Sequence, residues 1–82
     1  FPALRIVKDV LVEGESSAII MNAANETAVN SFLQRKIGFL SILEIVEATL
    51  AGIQYNNAQT IDEIVSVDQE ARSFADALIA KL

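Results

Sequence analysis

Eighty-two residues, 52% hydrophobic and without a single cysteine or histidine, make one small domain with no disulfide framework and no thiolate metal site. The usual general base and the commonest transition-metal ligand are missing too. The net charge of −5 repels phosphate backbones, so no nucleic-acid partner is expected. No apolar run approaches the roughly 20 residues that cross a bilayer, so no membrane role is expected either.

A composition rich in Ala, Ile, Leu and Val, with only five aromatics, suits close helix–helix packing better than a small barrel or sandwich. The acidity is uneven. Residues 1–40 carry four basic and four acidic side chains, and residues 41–82 carry two basic and seven acidic. The opening Phe1-Pro-Ala-Leu4 has neither a basic n-region nor an initiator methionine. It is not expected to be a signal peptide and reads as the interior of a longer protein. Lack of disulfides fits a reducing, cytoplasmic compartment.

Pro2 suits the first turn of a helix, where its missing N–H costs nothing. Leu4, Val7, Val10 and Leu11 then form an apolar stripe, with Arg5, Lys8, Asp9 and Glu13 largely opposite, and Gly14 at the C′ position. Ser16 or Ser17 can cap a second apolar piece, Ala18 to Met21, which runs into Asn22-Ala-Ala-Asn-Glu26. One continuous helix and two helices broken at Asn22 both fit, and the cap preference of asparagine favours the break. Asn22 then serves as N-cap, Glu26 sits toward the positive end of the dipole, and Val29, Phe32 and Leu33 carry the apolar spacing. Arg35 and Lys36 place cations near the far end, and Ile37-Gly-Phe39 reads as an extended connector.

Ser41 and Glu44 have capping-box spacing, with Leu40 and Ile45 placed for a hydrophobic staple. Ile42, Ile45, Val46 and Leu50 give the buried face of that helix, and Gly52 ends it. Gln54 to Gln59 is the longest polar loop. Thr60 and Glu63 form a second capping box that opens a short turn over 61–65. Ser66 or Asp68 caps the last helix, where Ala71, Phe74, Ala75, Leu78, Ile79 and Leu82 recur at three- and four-residue steps. The expectation is an all-α fold over 1–82: a small, four-helix bundle-like single domain with one or two short extra helical turns.

Four constellations invite a functional reading. Asn22, Asn25 and Glu26 can hold a ligand or an adjoining loop, or can be a capping and buried hydrogen-bond network, and the capping reading is the simpler. Asp62, Glu63, Asp68 and Glu70 lack the spacing and loop glycine of a calcium site and read as first-turn carboxylates. Ser41 at a helix start suggests an acyl carrier protein, but the aspartate that precedes the modified serine there is replaced by Leu40. Phe32, Phe39 and Phe74 read as core. No catalytic, cofactor-binding or metal-binding residue is identified, because the chain lacks a Gly-rich phosphate loop and any obvious carboxylate pair held in a cleft.

Phe1-Pro-Ala-Leu4, Asn22-Ala-Ala-Asn-Glu26, Ala28-Val29, Phe32-Leu33 and Ile37-Gly-Phe39 occur here in succession. Ile42, Ile61-Asp-Glu-Ile64 and Ser66-Val-Asp68 with Ala71-Arg72 follow in order. Together they closely resemble the C-terminal helical domain of the 1-deoxy-D-xylulose 5-phosphate reductoisomerase family, over essentially the whole chain. The resemblance implies a homodimeric parent enzyme that uses NADPH and Mg²⁺ or Mn²⁺ and is inhibited by fosmidomycin. It implies rearrangement and reduction of 1-deoxy-D-xylulose 5-phosphate to 2-C-methyl-D-erythritol 4-phosphate, in the non-mevalonate isoprenoid pathway. In that family the nucleotide, metal and phosphate sites precede the helical domain, so none is carried onto these residues. The fragment is then an inactive structural arm whose partner is the catalytic domain of the same chain. A bacterial, cytoplasmic parent is implied, and a plastid one is left open. A free-standing helical interaction module, or less readily an acyl carrier protein, is the alternative.

Overall fold

The computed structural model describes residues 15–53 and 60–82. Three helices account for nearly all of them: α1 (Glu15–Leu33), α2 (Phe39–Gly52) and α3 (Ile61–Ala80). There is no strand among the described residues, so the all-α expectation holds. The helix expected over Pro2–Glu13 and the loop expected over Gln54–Gln59 lie outside the described residues.

The chain runs up, down and up. Ile20 and Ala23 of α1 pack with Val67 and Ala71 of α3, and with Ile53 just after α2. Further along, Ala24 and Ala28 pack with Ala75 and with Ile42, Ile45 and Val46 of α2. Like ends of α1 and α3 therefore meet, and these two helices lie parallel, with α2 antiparallel to both. The side chains sort by size. Between α1 and α3 the buried residues are largely alanines, and Ala23, Ala24, Ala28, Ala71 and Ala75 are all fully buried. Alanine brings helix axes close without losing side-chain entropy. Bulk comes from the isoleucines and valine of α2, which fill the space beside that pair.

α1 is continuous through Asn22, so the expected break is absent. A few tenths of a kcal/mol is the intrinsic cost of asparagine in a helix interior, at most about 0.7. Burial of Ile20, Ala23 and Ala24 on either side of Asn22 outweighs that cost. α3 is continuous as well, and Ser66 and Asp68 lie inside it rather than capping it. Val67 is among the most deeply buried side chains, and a break beside it would expose it. The cap at Thr60 is made as expected: its side-chain oxygen accepts the Glu63 N–H at 3.1 Å.

α2 starts earlier than its capping signature suggested. Gly38 is the N-cap, with extended φ and ψ and no side-chain cap. Ser41 N–H donates to the Gly38 carbonyl at 3.2 Å, so Ser41 sits inside the first turn and does not cap. Phe39, the first helical residue, stacks edge-to-face on Phe32 of α1 with ring centroids 5.8 Å apart. That contact favours extending the helix back to Phe39. In the next stretch, buried Thr49 turns its hydroxyl onto the Ile45 carbonyl at 2.7 Å, which satisfies a polar group inside the core.

Two backbone positions are tightly constrained. α1 closes in a Schellman turn: Arg35 N–H donates to Phe32 O and Lys36 N–H to Ser31 O, both at 2.9 Å. Arg35 takes the left-handed conformation, φ 61°, where glycine is usual. Arg35 and Lys36 thus lie just beyond the last turn of α1. The second position is Gly52, on which the Phe74 ring lies; a Cβ there would fall 2.7 Å from Phe74 Cε2 and 3.0 Å from Cε1.

Gly52→Ala is expected to lower stability by about 1–3 kcal/mol, because Phe74 must leave its seat. An unchanged denaturation midpoint would show that the ring moves freely. Arg35→Gly is expected to raise stability by roughly 0.5–1 kcal/mol, as relief of the left-handed strain exceeds the entropic cost of glycine. Chemical denaturation of the two variants beside the parent chain measures both.

Candidate functional site

Asn22, Asn25 and Glu26 are brought together on α1, but on its exposed face rather than in the core. The buried capping network read from their types is therefore absent. Asn22 is the eighth residue of α1 and Glu26 the twelfth, well beyond the first turn where caps and the helix dipole act. The opposite face of the same helix turns Ser16, Ser17, Thr27 and Ser31 inward. Small hydroxyls can be buried between close helices by bonding back to the helix, whereas the longer asparagine amides face out.

Glu26 has a specific partner. Arg72 of α3 reaches across with Nη2 3.3 Å from Glu26 Oε2, while its Nε lies 2.9 Å from Asp68 Oδ2, one turn back on its own helix. Hydrogen bonding to Asp68 and then to Glu26 raises the Arg72 pKa above its already high ordinary value, so the guanidinium stays charged at every ordinary pH. The pairs are partly exposed, so each contributes about 0.2–1 kcal/mol. They report the rotation of α3 against α1 that the buried alanines set. The Asp68–Arg72 half was legible as an i, i+4 pair; the Glu26 half needed the two helices placed side by side.

Near this bridge, Ala18, Ile19 and Asn22 of α1 face Ile64, Val65, Asp68 and Gln69 of α3 across an open groove of about 460 Å³. Its walls are mostly apolar, with amide and carboxylate groups along the α1–α3 seam. The remaining constellations separate. Asp62 and Glu63 stand in the first turn of α3 as expected, whereas Asp68 is taken up by Arg72. Among the described residues no three carboxylates gather where they could hold a metal ion. Ser41 is half-buried within α2, unlike the exposed serine that a carrier arm requires. Phe32 and Phe74 pack against the core, but Phe39 is mostly exposed, which corrects its reading as core.

Among the described residues these features define a small helical bundle domain with an open groove along the α1–α3 seam. The family model of the DXP reductoisomerase C-terminal domain matches residues 1–74, and the chain belongs to that family. The 1-deoxy-D-xylulose 5-phosphate reductoisomerase of Rhodospirillum centenum is 42% identical over 98% of this chain, a stretch that makes up 20% of the relative. The enzyme of the same name from Xanthomonas campestris pv. campestris is 45% identical over the same share of each. The solved structure of the Zymomonas mobilis reductoisomerase in complex with NADPH is 41% identical and matches the fold at a TM-score of 0.94, covering 100% of this chain and 22% of that one. The chain thus spans about one fifth of the length of the curated relatives it matches.

With Asn22 exposed in mid-helix, Asn22→Ala is expected to raise stability slightly, by about 0.5 kcal/mol, since alanine is the better helix former. Loss of a cap would instead cost roughly 0.5–2 kcal/mol. The sign of the shift in thermal midpoint distinguishes the two.

Proposed function

We propose that residues 1–82 are a single domain, the C-terminal helical domain of a longer 1-deoxy-D-xylulose 5-phosphate reductoisomerase. The parent converts 1-deoxy-D-xylulose 5-phosphate to 2-C-methyl-D-erythritol 4-phosphate with NADPH and Mg²⁺ or Mn²⁺, as a homodimer in the bacterial cytoplasm. One observation carries this reading: the match to the Zymomonas mobilis enzyme combines a TM-score of 0.94 with 41% identity over the whole of this chain. At that identity, chance convergence of two helical bundles is not a competing explanation.

The domain's own contribution is structural. Its described carboxylates do not fit a divalent ion, because no three converge. Its sequence has no glycine-rich strand-to-helix turn that could cradle a dinucleotide pyrophosphate. Both groups are therefore assigned to the part of the parent that precedes this domain, and Asn22, Asn25 and Glu26 are a structural signature rather than catalytic groups. The work left to these 82 residues is to dock on the catalytic domain and hold it in its productive shape.

Isolated residues 1–82 are accordingly expected to give no NADPH oxidation with the pentulose phosphate and Mg²⁺, and no saturable NADPH binding. The full-length chain is expected to turn over under the same conditions. Absorbance of NADPH and a binding titration test both. Activity in the isolated domain, or its absence from the full-length chain, would overturn the assignment.

A further inference from the structure

We draw no further inference here: the strongest candidate, the open and mostly apolar groove that Ala18 and Ile19 of α1 form with Ile64 and Val65 of α3, is an unpartnered face, and nothing in the structure shows what covers it.

Discussion

Close contact between α1 and α3 is the constraint on which the rest of this domain depends. Ala23, Ala24 and Ala28 on one helix and Ala71 and Ala75 on the other are fully buried, so two parallel helices meet largely through methyl groups, with Ile20 and Val67 the larger side chains between them. A larger side chain at any of these positions would force the axes apart, and packed cores answer such changes with strain rather than smooth adjustment. α2 then has one available role. Its isoleucines and valine supply the volume that the alanines do not, and its Thr49 hydroxyl satisfies itself within the helix. Gly52 extends the same logic to the end of α2, where the absence of a side chain seats the Phe74 ring.

Polar groups follow from that packing. With α1 and α3 held close and parallel, Glu26 and Arg72 come within reach although they are 46 residues apart in sequence. Asp68 completes a three-membered charge network that adds a small energy but a definite geometry. The same packing buries one side of α1 and leaves Asn22, Asn25 and Asn30 exposed, with Asn22 at the rim of the α1–α3 groove. The motif Asn22-Ala-Ala-Asn-Glu26 is therefore divided, with Ala23 and Ala24 in the core and its two asparagines on the surface.

Membership of the DXP reductoisomerase C-terminal family gives these observations a setting. In the proposed parent enzyme, a domain with this small-residue core is suited to act as a brace. Rigidity lets it transmit position to a neighbouring domain, because a loosely packed bundle would absorb displacement instead of resisting it. In that proposal its contribution is geometric, through the parts of the parent that it supports.

Several features were decided by the sequence alone. Helical periodicity around Ile42, Ile45 and Val46, and again from Ala71 to Ile79, is a local property, and these residues do form the packed faces of α2 and α3. The cap at Thr60 is equally local, since the oxygen and the N–H it accepts lie three residues apart. Resemblance through Asn22-Ala-Ala-Asn-Glu26 and the segments after it pointed to the right family. Only tertiary structure could decide where helices continue. Asn22, Ser66 and Asp68 all have good capping chemistry, yet each lies inside a helix because neighbouring buried residues favour continuity by more than a cap is worth. Ser41 lost its cap for a similar reason, as the Phe32–Phe39 contact drew the start of α2 back to Phe39. The exposed face of α1 was illegible for a related reason. Buried Ser and Thr on one side and exposed Asn on the other blur the polar pattern, and which side is inward depends on where α3 lies.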